Sequence, residues 1–423
     1  MRHALFVAFH YPPESSSSGV LRTLKYTRYL GAHGWRVTVL TVRPDAYEVV
    51  DPALMRQVPP EVRVVRTAYL DSKRHLSVRG LHLALTAIPD RWIGWWPWGV
   101  RAGRRILRDD PPELIYSTSP HATAHLIAAS LARTGRVPWV TDFRDPWYED
   151  PPEPGTPRVV HRAARRLERM VVRRAALVIG STRRLRDVLA ARYPDEPPVK
   201  FAAIPNGFDE ADFTALPLAE RSSGDELVVV HAGNVNAEFR DPRPVFEAVG
   251  EAVAAGDIDP GRLRFRFLGG GPYGESAAVA GAVTAAGLTG RVQFLPRVPY
   301  DAALRELTGA DMLLLLQASA DTVDLVPAKL FEYLRAGRPV LAVVRPGATT
   351  EVLAQVGGGW AVDPRDGAGL RQALVAACAA WRAGHLGGMA ASAGRLQGFS
   401  RAQLTAELAR HFDRLVRGPG PAA

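Results

Sequence analysis

The chain is nearly devoid of cysteine: Cys378 stands alone among 423 residues. A single thiol excludes an intramolecular disulfide and a thiolate metal cluster, and it fits a reducing compartment. Long apolar runs are missing as well. Ala4 to Phe9 leads directly into Tyr11-Pro12-Pro13, which is too short for the apolar core of an export signal. Met312 to Leu316 is about one strand long, far from the roughly 20 apolar residues that a membrane span needs. The expectation is a soluble, cytoplasmic protein. No Gly-x-x-x-x-Gly-Lys-[Ser/Thr], His-Glu-x-x-His or Gly-x-Ser-x-Gly occurs, and no strand closes on Asp-x-Asp. A nucleotide-cradling P-loop, a zinc protease site and a serine-hydrolase elbow are thereby set aside. With no such acidic pair to hold a divalent ion, no metal and no bound cofactor are expected.

What is present is a hydrophobic content of 47%, enough for folded domains over most of the length. The length suits two or three domains. The formal charge of +10 is uneven. Residues 1–200 carry 32 Lys and Arg against 19 Asp and Glu, whereas the remainder carries 21 against 24. A basic half suggests an anionic partner, either phosphate groups, a membrane surface or nucleic acid, or an arginine-rich coding bias.

Apart from Ser15 to Ser18, no low-complexity tract or fixed-period repeat occurs. Short apolar runs alternate with longer amphipathic segments. Strands are predicted at Ala4–Phe9, Arg36–Thr41, Arg63–Arg66, Leu114–Ser117, Trp139–Phe143, Leu177–Gly180 and Val199–Ile204. A second series comprises Leu227–Ala232, Leu263–Leu268, Val292–Phe294, Met312–Leu316 and Val340–Val343. Continuous apolar runs of this kind suit parallel strands covered on both faces, so the fold class is α/β. The series restarts after Pro205-Asn206-Gly207, giving domains 1–205 and 206–400. A last helix at about 401–417 is expected to pack back on the first domain. Ligands bind such sheets at the carboxyl ends of strands where strand order reverses, and two facing sheets form a cleft for a two-part substrate.

The most informative segment runs from Pro327 to Val340 and follows strand Met312–Leu316. It predicts a helix that starts near Pro327 and stops at Gly337 and Pro339. Lys329 and Glu332 share one face of it. A helix start suits a diphosphate, Lys329 adds a point charge, and Glu332 suits ribose hydroxyls. Asp324, in the loop before, suits sugar hydroxyls. The plain alternative is an amphipathic helix with a surface Lys–Glu pair.

The segment resembles the signature of the retaining family-4 glycosyltransferases of the GT-B fold, two acidic residues separated by seven others. Here the pair is Asp324 and Glu332, with Asp where that family commonly has Glu. Further segments agree in order. His231-Ala232-Gly233-Asn234, followed by Arg240, resembles the family's first glycine turn and its phosphate-gripping base. Gly269-Gly270-Gly271 resembles the next glycine turn. Val292 to Val298, including Arg297, resembles the strand and loop whose backbone reads the nucleotide base. His10 to Gly19, including Ser18, matches the loop after the first strand, near the donor phosphates and acceptor, and Ile204 to Asp209 matches the interdomain segment. The resemblance implies two tandem doubly wound Rossmann-like domains facing across a cleft. It also implies transfer of a sugar, with retention, from a nucleotide diphosphate sugar to an unidentified acceptor. As turns alone the glycines carry little weight, and Arg240 beside Asp241 also reads as a surface ion pair.

In the first domain, Thr141 to Trp147 places charge at a strand end, where ligand contact explains it better than stability. Many relatives have a histidine there that touches the donor sugar; this chain has Arg144 or Asp145, so the role does not transfer cleanly. His121 is a second polar contact, or it caps the following helix. Arg91 to Trp98, followed by four arginines to Arg108, mixes aromatic and basic residues. It suits an anionic membrane, an acceptor groove or tryptophans wedged under a loop, with Pro97 breaking the helical stripe. The helix His161–Arg174 has an apolar stripe of Ala164, Leu167 and Val171. Rival functions are a sugar-nucleotide epimerase or hydrolase on the same fold, a catalytically dead scaffold, and a basic nucleic-acid-binding module. The last lacks any recognisable reading motif, so no nucleic acid is expected.

Overall fold

The computed structural model describes the chain apart from residues 16–18, 76–87, 153–154, 217–224, 320–321 and 418–423. It divides into two compact units, residues 1–205 with 401–423, and residues 206–400.

The first unit is built on seven parallel strands: β1 Arg2–Ala8, β2 Trp35–Val42, β3 Arg63–Thr67, β4 Leu114–Thr118, β5 Trp139–Phe143, β6 Leu177–Gly180 and β7 Phe201–Ala203. Their order is β3-β2-β1-β4-β5-β6-β7. Period-two alternation explains why β1 is apolar from Ala4 onward. Leu5 and Val7 enter one core with the helices Trp96–Asp109, Ala122–Gly135 and Arg158–Arg174, while Ala4 and Phe6 enter another with the helix Gly19–Tyr29. The last helix, Arg401–Arg417, belongs to this second face through Leu404, Leu408 and Phe412. It is held further by Trp35 Nε1, which donates to Asp413 over 2.9 Å.

The second unit has six parallel strands: β8 Leu227–Ala232, β9 Leu263–Leu268, β10 Val292–Leu295, β11 Met312–Gln317, β12 Val340–Val344 and β13 Gly359–Val362. Their order is β10-β9-β8-β11-β12-β13. Along β11, Met312, Leu314 and Leu316 face the helices Arg243–Ala254 and Gly367–Arg382, and Leu313 and Leu315 face the helices Tyr300–Gly309 and Ala328–Arg335. Both sheets are thus covered on both faces, the doubly wound α/β arrangement.

Several local expectations need correction. Strand β13 has no counterpart in the sequence reading, because it is a short edge strand that follows Gly357 and Gly358 and itself begins on a third glycine. Strand β7 starts at Phe201, since Pro198 opens a 3₁₀ turn over Pro198–Lys200. Pro97 lies in the first turn of Trp96–Asp109 and leaves that helix intact. In Arg158–Arg174 the buried positions are Glu168, Val171 and Val172, with Ala164 and Leu167 only partly covered. Glu168 accepts from Arg192 over 2.8 Å and from the Tyr193 hydroxyl over 2.7 Å, so a carboxylate occupies a place where an apolar stripe was expected.

Candidate functional site

Strand order reverses between β8 and β11 in the second unit and between β1 and β4 in the first. Most of the predicted residues gather at the carboxyl ends of these strands.

In the second unit, β8 and β11 pair only through Val229 with Met312 and Val230 with Leu313. One residue further on, the His231 ring bridges the strands, its Nδ1–H donating to the Leu314 carbonyl over 2.9 Å. The Lys329 helix, Ala328–Arg335, docks here through residues one turn apart. Lys329 Nζ donates to the Ala232 carbonyl over 2.7 Å, and the Ala232 N–H donates to Tyr333 Oη over 2.6 Å. Gly233 follows with φ of 125°, and a Cβ there would lie 2.5 Å from Lys329 Nζ. Only glycine satisfies both the backbone angle and the approach of the ammonium.

The loop ahead of this helix is tied down. Ala348 N–H donates to the Val323 carbonyl over 2.8 Å and the Thr349 hydroxyl donates to Leu325 over 3.2 Å. Asp324 is half-buried in that loop. Pro327 is the residue that precedes the first helical position rather than part of the first turn. The two glycine turns interlock. Gly233 N–H donates to Leu268 over 2.8 Å, Val235 N–H donates to Gly270 over 3.0 Å, and a Cβ on Gly271 would meet Asn234 Oδ1 at 2.0 Å. Gly269 lies beside Arg297, its would-be Cβ 3.7 Å from Arg297 Cα, and Val298 packs against the core. Gly233, Asn234, Gly270 and Arg297 are therefore neighbours at the ends of β8, β9 and β10.

Lys329 is one of only four lysines in an arginine-rich chain. Burial, and next the charge of Arg240, push its pKa down to about 7. Burial and the adjoining Lys329 also hold His231 well below its ordinary value, so that ring is neutral. Its Nδ1 carries the hydrogen, and its buried Nε2 has no partner among the described residues. Arg240 forms no ion pair among the described residues, because Asp241 is taken by Arg243 across 2.6 Å. The surface-pair alternative for Arg240 is thereby removed. Glu332 Oε1 accepts from the Tyr300 hydroxyl over 2.9 Å, a partner that sequence spacing did not reveal.

In the first unit the rings of His10 and His121 stack with centroids 5.0 Å apart, directly at the β1/β4 reversal. His121 occupies the N-cap position of Ala122–Gly135 but makes no capping bond. Asp90 does that work instead, accepting from the Thr123 N–H over 2.8 Å. Burial first, then His10, pushes His121 down to about 3, so it offers a neutral ring. Gly19 opens the helix Gly19–Tyr29 against the Arg144 side chain. Ser18 lies outside the described residues.

Residues 19–207 match the family described as Glycosyl transferase 4-like domain, and residues 226–379 match Glycosyl transferases group 1. The chain carries both domains of a group 1 glycosyltransferase. No curated protein matches its sequence. Among solved structures the fold resembles sucrose-phosphate synthase of Thermosynechococcus elongatus, at 17% identity and TM-score 0.66, covering 99% of this chain and 100% of that one. It resembles Anabaena HepE in complex with UDP, at 16% identity and TM-score 0.67, covering 98% and 100%. It also resembles a UDP-N-acetylglucosamine 2-epimerase of Listeria monocytogenes, described as putative, at 12% identity and TM-score 0.59, covering 98% and 96%. These likenesses establish the two-domain GT-B fold.

Within this glycosyltransferase the sequence reading missed one arrangement entirely. Arg22 and Asp142 form a fully buried bidentate pair, both bonds 2.8 Å. Asp142 also accepts from Tyr116 over 2.5 Å and from Thr118 over 3.1 Å, and Arg22 donates to the carbonyls of Ile204 and Pro205. Burial alone would raise Asp142, but Arg22 and these hydrogen bonds hold it below its ordinary value. The charge at the end of β5 is thus partly structural, against the expectation of ligand contact. The only signal was the unusual placement of Arg22 among the apolar positions of a helix. Of the charged residues at that strand end, Arg144 and Asp145 remain for a ligand.

Proposed function

We propose that this glycosyltransferase moves a sugar from a nucleotide diphosphate sugar to an acceptor, with retention of anomeric configuration and without a metal. One observation carries the reading: the Lys329 ammonium, half-buried at the β8/β11 reversal beside Gly233 and within reach of the charge of Arg240. These two cations and the positive start of the Lys329 helix supply the charge that a leaving diphosphate requires. Stabilising charge that develops on a leaving group is usually the largest catalytic term, and loss of one such contact costs about 3 kcal/mol. Glu332 is assigned to the ribose, Asp324 to the sugar hydroxyls, and the backbone at Arg297 and Val298 to the base. His121, Arg144 and Asp145 are assigned to the acceptor side, in the first unit. Anabaena HepE, solved with UDP, gives the same ligand class in a protein of this fold.

A thermal-shift panel of nucleotide diphosphate sugars tests this. At least one donor raises the melting temperature, by mass action on the folded state, and Lys329→Met removes the rise. No response to any donor, or an unchanged response in the variant, contradicts the assignment. The epimerase likeness supplies the second reading, and acceptor dependence separates the two. Consumption of donor without acceptor favours the rival, whereas NMR coupling constants of a transferred product report retention.

The same proposal includes a peripheral contact with anionic membrane. Trp92 and Trp95 are buried, but Trp96 and Trp98 are 39% and 37% exposed. Trp96 and Pro97 line a shallow hollow of about 510 Å³ with Arg101, Arg104, Arg105 and Arg108. Aromatic rings beside a row of arginines suit a headgroup layer. Among the described residues no helix is long and apolar enough to cross a bilayer. Flotation with phosphatidylglycerol vesicles at low salt, lost on Trp96→Ala with Trp98→Ala, is the expected result. Equal flotation with neutral vesicles contradicts it.

A further inference from the structure

A buried lone pair beside Lys329 lacks a hydrogen. It belongs to His231, which is only 1% exposed at the carboxyl end of β8. The ring is fixed from two sides. Nδ1 lies 2.9 Å from the Leu314 carbonyl on β11, and the Phe267 ring of β9 packs against it with centroids 5.6 Å apart. A carbonyl only accepts, so Nδ1 carries the hydrogen and Nε2 carries the lone pair. Nε2 is buried and has no hydrogen-bond partner among the described residues. It borders the same small space as the lysine: a Cβ on Gly233 would lie 2.5 Å from Lys329 Nζ and 3.9 Å from His231 Nε2.

The surroundings leave one source for the missing hydrogen. The charged neighbours of the ring are Lys329 and Arg240, and the Gly233 main chain faces it outside hydrogen-bond geometry. Burial, and next Lys329, keep the ring itself neutral. An ammonium has three hydrogens to place. One from Lys329 goes to the Ala232 carbonyl over 2.7 Å, and on the donor reading a second goes to a phosphate oxygen. Of the polar groups near the third, Glu332 is engaged by the Tyr300 hydroxyl and Tyr333 Oη by the Ala232 N–H. Nε2 remains. A neutral acceptor also suits the task, because it steadies the ammonium without cancelling the charge that a phosphate needs, as a carboxylate would.

We propose that His231 is a positioning residue for the donor: its Nε2 accepts the third hydrogen of the Lys329 ammonium when a diphosphate binds. Carbonyl, imidazole and phosphate then fix the cation from three directions. The inference rests on the donor reading and adds to it the group that holds the lysine in place.

The test titrates UDP, GDP and ADP into the full chain at pH 8, where the free Lys329 is mostly neutral, and continues with the tightest of them. His231→Asn keeps a donor for Leu314 and removes the acceptor at the Nε2 position, whereas His231→Gln does the reverse. His231→Asn should melt near wild type yet bind about tenfold more weakly or worse, the worth of one hydrogen bond to a charged group. His231→Gln should melt lower yet retain most of the affinity. In wild type carrying isotope-labelled histidine, the Nε2 resonance of His231 moves upfield on binding, the mark of a lone pair that has gained a hydrogen bond. In Lys329→Met at saturating ligand it stays in place. Equal losses of affinity in the two His231 variants, an unmoved Nε2 resonance in wild type, or an equal movement in Lys329→Met overturns the inference. No binding of any of the three nucleotides overturns it together with the donor reading. Binding that is lost in Lys329→Met but unchanged in His231→Asn overturns it alone.

Discussion

Lys329 and Gly233 share one space: the ammonium that reaches the Ala232 carbonyl occupies the position where any other residue at 233 would carry its Cβ, 2.5 Å from Nζ. Gly233→Ala therefore displaces the lysine and strains a backbone at φ of 125°. The expected outcome is a folded protein destabilised by about 1 kcal/mol or more. Its affinity for nucleoside diphosphate should fall at least tenfold, by calorimetric titration. Unchanged affinity would show that the ammonium does not meet the ligand.

Proton uptake offers a second check on the same group. Burial and Arg240 depress Lys329 to about 7, so at pH 8 the free protein holds it mostly neutral. A diphosphate favours the ammonium and raises that value. Binding at pH 8 should take up close to one proton, measured by titration calorimetry in buffers of different ionisation enthalpy. Lys329→Met should take up none. The sign for stability follows: the native state binds fewer protons than the unfolded chain between about pH 7 and 10.5, so this lysine makes the free protein more stable as pH rises across that window.

The Arg22–Asp142 pair belongs to the fold. Removing one partner leaves a buried charge without its counter-charge, at a cost of about 3–5 kcal/mol. Arg22→Met should lower the unfolding free energy by that much in denaturant titration, whereas Arg22→Met with Asp142→Leu should recover part of the loss. Because Asp142 is held below its ordinary range, its contribution is present above the usual Asp pKa and disappears as pH falls through the native value. Acid titration of unfolding, with the double variant as reference, measures the share.

Tyr300 orients Glu332 through a 2.9 Å hydrogen bond from outside the Lys329 helix. Tyr300→Phe leaves the carboxylate in place but releases its rotamer. The expected result is a severalfold rise in donor KM with kcat little changed, the pattern of lost uniform binding. A fall in kcat at unchanged KM would place Tyr300 elsewhere in the reaction.

Much of the fold was legible because parallel strands buried on both faces are nearly continuous apolar runs. Met312 to Leu316 is the clearest case, with alternate leucines entering opposite cores. Strand β13 was not legible, since Gly359-Trp360-Ala361-Val362 is only four residues on a sheet edge, is entered through glycines and holds a single β-branched residue. At the site, the spacing of Lys329 and Glu332 on one helix was readable from the sequence. The partners that orient them are not local: Ala232 lies 97 residues from Lys329, and Tyr300 lies 32 from Glu332. Charge patterns mislead most where a buried pair spans the sheet. Nothing in the spacing of Arg22 and Asp142, 120 residues apart, distinguishes a structural pair from two ligand contacts.

The most direct measurement is a crystal structure of the protein with a bound nucleoside diphosphate. Terminal phosphate oxygens are expected within hydrogen-bond distance of Lys329 Nζ and the Arg240 guanidinium, above Gly233. A nucleotide bound elsewhere, with Lys329 still engaged only with the Ala232 carbonyl, would contradict it.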